Sequence, residues 1–287
     1  MSIYETHKIC ILLVTALVLV SSCCAYADDI RLGMLARTRE SVEVLSSIYR
    51  ETGSINSFVM WRLPSLEDVK VVSLKYYDNL VSMIMGLNAN EINAISAPKL
   101  VAEYILSSNH DYVISSATRI KSGAYLSFGF KKLDGIILQR NFNTAIRNMR
   151  KDGTLDELTR KYCLTPGTDG LLPVKFETFD RAETVKIAVT GDLPPIDYIA
   201  LDGTPAGFST AILAEIGRRL KINIKLVQTD TRARTAALMS GRVDGVFWYQ
   251  FMRGVAVQSD APENVIFSEP YYEWDTNLNV SRKHTGK

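Results

Sequence analysis

The stretch Val185-Lys-Ile-Ala-Val189 opens the part of the sequence that decides the fold. This apolar, strand-like run is followed by a helix-like segment at Phe208–Leu220 and by a second strand-like run at 222–227. Another helix, predicted over 231–240, leads to a third strand that ends in an aromatic pair at 248–249. Strand–helix–strand units pair their strands in parallel and cover the sheet with helices. The pattern therefore predicts an α/β lobe over 185–287.

The first half of the sequence has the same alternation. Asp78 is predicted to cap the second of its helices. Thr165-Pro-Gly-Thr-Asp-Gly170 and Pro173 are typical of a linker, which we place at 166–184. The predicted fold is α/β with two lobes, 28–165 and 185–287, each a mainly parallel sheet flanked by helices, and a ligand cleft between them. In the first lobe we predict strands at 30–35, 69–77, 92–96, 112–116 and 125–130, and helices at 40–50, 79–90, 98–108, 142–151 and 155–162.

Residues 1–27 have the composition of an export signal. Lys8 precedes an apolar run of about a dozen residues, which is too short to span a bilayer. Ala25-Tyr26-Ala27 predicts cleavage before Asp28, whereas Val20-Ser21-Ser22-Cys23 resembles a lipobox in which Cys23 is lipidated. Both routes predict an exported protein, either in the periplasm or on the extracytoplasmic face of the membrane.

The composition argues against several classes of function. The formal net charge is only +2 and no Lys/Arg run occurs, so a nucleic-acid partner is not expected. The mature chain keeps Cys163 alone, or three cysteines if cleavage precedes Cys23, so its stability is expected to come from the core. Neither His110 nor His284 belongs to a triad or a metal-ligand cluster. We therefore expect no metal, no cofactor and no catalytic residues.

Five motifs of the second half occur in an order that is known from one protein family. They are Val185-Lys-Ile-Ala-Val189, Pro194-Pro195 with Tyr198, Gly207-Phe208, Leu238-Met-Ser-Gly-Arg-Val-Asp244 and Phe267-Ser268-Glu-Pro-Tyr271-Tyr272. Together they resemble the first lobe of the extracytoplasmic solute-binding proteins of family 3, the type that binds polar amino acids for ABC transporters. In that family the last motif leads into a hinge strand.

The first half resembles the family's second lobe. Leu87-Asn-Ala-Asn-Glu-Ile92-Asn93-Ala94 is similar to that lobe's Leu-x-x-Gly-x-Val-Asp-Ala, and 142–162 is similar to the family's last two helices. Those helices ordinarily end the chain, whereas here they end its first half. Either the lobes are circularly permuted, or the chain is a tandem of two copies that each lack a lobe. The permutation predicts that Ile30 lies close to the segment around Asn279.

Ligands of this fold bind between the lobes, at the carboxyl ends of the strands, and closure of the lobes sequesters them. Aromatic rings at such positions can stack on a ligand, and hydroxyl and amide groups can orient it. A helix N-terminus or an arginine favours an anionic group. Trp248 and Tyr249 also fit the core of a strand, and Thr38 fits a simple helix cap. The candidate ligand-binding residues are Asp192, Tyr198, Arg232, Trp248, Tyr249, Gln250, Thr38, Arg39 and Ser96.

The amino-acid clamp of the family is altered in this sequence. The family's carboxylate-binding arginine follows the third strand of its first lobe, but Arg253 is displaced from that spacing. The acidic residue that holds the amino group corresponds to Pro98, which cannot make that contact. The resemblance therefore implies capture of a small polar solute, an amino acid or a related molecule, without identifying it.

The resemblance also implies a monomeric, non-enzymatic receptor that delivers its solute to an ABC-type permease. A ligand-sensing module for a membrane signalling protein is the alternative, because it too needs only a closing cleft. An enzyme on the same scaffold is a third hypothesis, and it lacks paired carboxylates in the sequence.

Overall fold

The computed structural model describes residues 30–35, 71–120, 124–163, 172–252, 262–274 and 277–283. No helix within these ranges combines the length and the hydropathy needed to cross a membrane. The helices are α1 (Leu80–Asn88), α2 (Lys99–Ser108), α3 (Ile136–Lys151), α4 (Thr154–Cys163), α5 (Phe208–Leu220) and α6 (Arg234–Met239), the last preceded by a 3-10 turn at Thr231–Ala233. The strands are β1 (Ile30–Leu35), β2 (Val71–Tyr77), β3 (Ala94–Pro98), β4 (Tyr112–Ile120), β5 (Ala124–Lys131), β6 (Thr184–Val189), β7 (Asp192–Leu193), β8 (Asp197–Ile199), β9 (Pro205–Ala206), β10 (Asn223–Gln228), β11 (Gly245–Met252), β12 (Val265–Phe267), β13 (Tyr272–Trp274) and β14 (Asn277–Arg282).

Two main sheets share one topology. The first has the strand order β2-β1-β3-β14-β4, and the second has the order β10-β6-β11-β5-β12. In each sheet the strand in fourth place is antiparallel to both of its neighbours, while the pairs before it are parallel. A small third sheet, β7-β8-β9, follows β6. The fold is therefore the two-lobed α/β type that the sequence predicts.

Each antiparallel strand comes from the opposite half of the chain. Strand β5 leaves the first half to join the second sheet, and β14 leaves the second half to join the first. Ile120, the last residue of β4, pairs with Asn277, the first residue of β14. Ala124, the first residue of β5, pairs with Trp274, the last residue of β13. Both pairs lie at the carboxyl ends of the parallel strands, so these two sheet edges face each other.

Helices α3 and α4 pack on the second sheet although they belong to the first half of the chain. Both contact α5. The Phe142 ring on α3 meets the rings of Phe128 and Phe130 on β5 edge-on, at 5.3 and 5.0 Å between centroids. In space, residues 124–163 join the lobe of the second half, so the boundary between the packing units does not coincide with the predicted linker.

Most predicted elements agree with the observed ones, and the differences have local causes. Helix α5 has the predicted bounds, whereas α3 begins six residues before position 142, because the exposed Ile136 and Ile137 hide its apolar periodicity. Asn79, and not Asp78, caps α1 by accepting a hydrogen bond from the Ser82 amide at 2.8 Å. The predicted helix at 40–50 lies outside the described residues.

A charged cluster fixes the turn between α3 and α4 onto α5. The Arg219 guanidinium donates to Asp152 at 2.7 Å, to Thr154 at 2.8 Å and to Glu215 at 2.6 Å. The hydrogen bond from Arg219, together with those from the Thr154 hydroxyl and amide, holds the pKa of Asp152 well below its ordinary value. The neighbouring Arg218 contacts only Glu215 among these groups and is half exposed.

We predict that Arg219→Ala lowers the free energy of unfolding by about 1–2 kcal/mol, because it removes the hydrogen bonds to Asp152 and Thr154 that join the two halves of the chain. Arg218→Ala is the matched control and should change it by less than about 0.5 kcal/mol. Urea unfolding of both variants measures the difference. Equal losses would mean that the contacts of Arg219 with α3 and α4 do not contribute.

Candidate ligand-binding cleft

The facing edges of the two sheets carry side chains from both lobes. Helix α1 of the first lobe contacts β7 of the second. Tyr104 on α2 lies near Tyr198 on β8, and burial together with this neighbour raises the pKa of Tyr104. Both tyrosines are partly exposed. Aromatic hydroxyl groups from opposite lobes therefore lie where the predicted cleft closes.

Asp192 and Tyr198, both predicted site residues, are paired across β7 and β8. Each is half-buried, so each keeps a surface that a solute can reach. Partial burial raises the pKa of Asp192, and a hydrogen bond from the Thr190 side chain counteracts part of that rise. The pair presents a carboxylate beside an aromatic ring.

A second carboxylate, Asp197, lies behind this pair and is only 1% exposed. Its Oδ1 accepts a hydrogen bond from the Gly191 amide at 2.6 Å, and its Oδ2 accepts from the Trp248 indole Nε1 at 3.1 Å. The amide and hydroxyl of Thr190 donate to the same carboxylate at 3.3 and 3.0 Å. Asp197 thus joins the turn after β6 to strand β11.

An irregularity in β11 explains how Trp248 reaches Asp197. Val246 pairs with Gly129 but Tyr249 pairs with Ser127, so β11 holds one extra residue between these pairs. Such a bulge breaks the alternation of side chains between the two faces of a sheet. Phe247 and Trp248 both join the larger core, while Val246 and Tyr249 join the smaller one on the opposite face.

Arg234, at the start of α6, is a buried cation that is 1% exposed. Its Nη1 donates to the Trp248 carbonyl oxygen at 2.9 Å, and its guanidinium carbon lies 4.9 Å from the centroid of the Trp248 ring and 5.5 Å from that of Tyr249. Burial lowers the pKa of Arg234, whereas Tyr249, Asp197 and Asp192 raise it. Arginine and aspartate therefore compensate each other's charge around the indole.

The other predicted site residues have different surroundings. Tyr249 is 3% exposed and shares a hydrogen bond with Thr235 at 3.1 Å, on the face opposite Trp248. Ser96 is 6% exposed, and its hydroxyl has no hydrogen-bond partner within the described residues. Thr38 and Arg39 lie outside the described residues, as do the side chains of Arg232 and Gln250. Ligand contact by these residues stays a prediction.

Sequence reasoning missed Asp197 and Arg234. Arg234 precedes Leu238 by four positions, so helical spacing places it on the buried stripe of α6. Charged residues are rarely buried unless they are paired, so this position indicates a paired or functional arginine. Asp197 lies between Ile196 and Tyr198 in a short turn-like segment, where nothing local separates a buried acid from an exposed one. In the described part of the chain, no three His, Cys, Asp or Glu side chains gather as metal ligands would.

Residues 185–286 match the bacterial extracellular solute-binding proteins, family 3. This segment is similar to that family. The matched region contains Val185 of β6 and all that follows as far as β14, and therefore the Asp192–Tyr198 pair and the Asp197 network. No curated protein sequence matches the chain.

Several solved structures are similar to the chain at low identity. The zinc-bound ligand-binding component of an ABC-type import system from Staphylococcus aureus is 12% identical, with a TM-score of 0.43, over 88% of this chain and 65% of that one. The alkanesulfonate-binding protein from Xanthomonas axonopodis pv. citri, bound to MOPS, is 10% identical, with a TM-score of 0.38, over 88% and 65%. The GluR0 ligand-binding core from Nostoc punctiforme, in complex with L-glutamate, is 11% identical, with a TM-score of 0.34, over 89% and 86%. This chain thus spans about two thirds of the length of the first two. Zinc, MOPS and glutamate are ligands of those proteins.

We predict that Asp197 makes stability fall as the pH rises from about 4 to 6. Burial raises its pKa from the ordinary value of 3.8 to about 6, so the folded chain holds a proton that the unfolded chain has lost. The stabilisation is complete below the ordinary pKa and is lost as the pH passes the raised one. Relative to Asp197→Asn, the unsubstituted chain should lose on the order of 3 kcal/mol across this window. Urea unfolding of both proteins at pH 4 and pH 7 measures the loss. An equal change in the free energy of unfolding of the two proteins between these pH values would contradict the prediction.

Proposed function

We propose that this chain is an exported, non-enzymatic solute-binding protein that captures a small polar solute between its lobes and delivers it to an ABC-type importer. The observation that carries the proposal is the exchange of β5 and β14, which turns the carboxyl edges of both sheets toward each other. The family 3 segment supports the same function, because it supplies most strands of one wall of that cleft.

The half-exposed side chains of the cleft support a polar ligand. Asp192 offers a carboxylate, while Tyr198 and Tyr104 offer a hydroxyl and a ring face from each lobe. Trp248, in contrast, is 4% exposed and donates its only polar hydrogen to Asp197. Substituting Trp248 would therefore disturb folding, and Asp192 is the better position at which to test binding.

We predict that a thermal-shift screen against amino acids, small peptides and organic acids finds a compound that raises the unfolding midpoint by mass action. Asp192→Asn should reduce that shift while changing the midpoint of the unliganded protein by no more than about 2 °C, because its carboxylate is near the surface.

Asp202→Asn is the matched control for this screen. Asp202 is an exposed carboxylate at the tip of the turn between β8 and β9, where it accepts a hydrogen bond from the Thr204 amide at 2.9 Å. In Asp202→Asn, the rise of the unfolding midpoint on ligand binding should be the same as in the unsubstituted protein. If no compound class stabilises the protein, or if Asp192→Asn and Asp202→Asn respond alike, the proposed site is wrong.

We further propose that the chain is a circularly permuted form of one binding protein. Gly33 on β1 pairs with Ile95 on β3, which pairs with Val280 on β14. Ile30 and Lys283 each lie three residues from this row, at the same edge of the sheet, with only β3 between their strands. Two strand spacings, about 10 Å, therefore separate the two ends. A tandem of incomplete copies does not require this proximity.

A chain in the ordinary order tests the permutation. We predict that residues 172–283, joined by a short Gly/Ser linker to residues 28–163, fold with the same far-UV circular dichroism and retain the ligand response of the native order. The control carries the same linker but joins 28–163 to 172–283, in place of the native 164–171. Failure of the reordered chain to fold, while this control folds, would contradict the proposal.

A further inference from the structure

The Asp197 carboxylate accepts hydrogen bonds both from the turn beside Asp192 and from the side chain of Trp248. Three of its donors are N–H groups, and an N–H group cannot act as an acceptor. Oδ1 receives the Gly191 amide, and Oδ2 receives the Trp248 indole and the Thr190 amide. Each carboxylate oxygen therefore already faces at least one fixed donor.

These donors favour the ionised carboxylate over the protonated carboxyl group. A neutral carboxyl group accepts hydrogen bonds more weakly than an ionised one, so the hydrogen bonds from these N–H groups weaken when the acid becomes protonated. The Thr190 hydroxyl is the one donor that can rotate and accept instead. Loss of the charge should therefore loosen the turn and the indole together.

The turn that Asp197 holds is also bound to β8 and β10: the Ile199 amide donates to the Gly191 carbonyl oxygen at 3.0 Å, and the Gln228 side chain donates to the Thr190 carbonyl oxygen at 3.2 Å. Gly191 has a φ of 71°, and a Cβ built there would lie 3.0 Å from the Ile199 side chain, so the turn packs tightly on β8. Asp192 follows directly and pairs with Tyr198, the residue after Asp197. The position of the Asp192 carboxylate consequently depends on the residues that Asp197 binds.

We propose that Asp197 is the positioning residue of the cleft: its carboxylate holds the Thr190–Asp192 turn and the Trp248 indole in one arrangement, and its protonation releases both together. The inference rests on the proposed function only in treating Asp192 as a ligand-facing residue. Among the described residues, the ionisable groups that interact with Asp197 are Asp192 on β7, Arg234 on α6 and Tyr271 after β12. Tyr271 has its pKa raised by burial and stays neutral over the relevant range.

Asp192 and Arg234 act on the pKa of Asp197 in opposite directions, so burial is what mainly sets that pKa. Asp192 raises the pKa of Asp197, while Arg234 carries a compensating positive charge. Burial is the largest cause of the rise, and the hydrogen bonds from Thr190, Trp248 and Gly191 act against it. Removing one of these hydrogen bonds should therefore raise the pKa of Asp197 further.

The test needs no ligand. In 15N-labelled protein, the Gly191 amide and the Trp248 indole signals are followed by NMR from pH 4.5 to 8. We expect both signals to titrate with one common midpoint and to stop titrating in Asp197→Asn. Asp202→Asn should leave both titrations unchanged, because that carboxylate lies on the neighbouring turn and contacts neither group.

Thr190→Val provides a second variant that keeps the carboxylate and all three N–H donors. It removes only the hydroxyl donor, so the two signals should still titrate together, with the common midpoint shifted to higher pH. Independent midpoints, or titration that persists in Asp197→Asn, would overturn the proposal. If Asp197→Asn does not fold, an unshifted midpoint in Thr190→Val would overturn it. Because no solute is present, the outcome does not depend on whether the ligand screen succeeds.

Discussion

The exchange of one antiparallel strand between the two halves is the constraint on which the rest of the structure depends. Strand β14 lies between β3 and β4 and supplies the hydrogen bonds that both need, and β5 does the same for β11 and β12. Neither sheet is complete with residues of its own half. The same exchange brings the carboxyl ends of the parallel strands face to face. The cleft is therefore a direct result of this pairing.

The individual elements could be predicted from the sequence, but the partners of β5 and β14 could not. Helix α5 and strand β6 have strong local periodicity, which identifies them without tertiary information. The strand that became β5 was recognised, but its assignment to the opposite sheet depends on residues more than 100 positions away. The final segment, predicted as one extended run, is divided into β13 and β14, which belong to different sheets.

The candidate site shows the same division between local and distant information. Asp192 and Tyr198 were found from their position after a strand, and they do lie at the facing edge. The aromatic end of its strand predicts Trp248 as a site residue. The bulge in β11 instead turns its ring toward a buried acid, and no local sequence pattern predicts that bulge. A buried charge such as Asp197 is equally hidden, because its neutralising partners come from three other segments of the chain.

The position of β14 also determines the order in which the protein can be assembled. A chain emerges from its N-terminus, and β3 and β4 are made long before residues 277–282, which lie between them. Until then, these strands have unpaired edges, and such edges invite association with other chains. Every strand of the second sheet precedes β14 along the chain, so the second sheet can close before the first. The order of the strands therefore sets the order in which the two lobes can complete their cores.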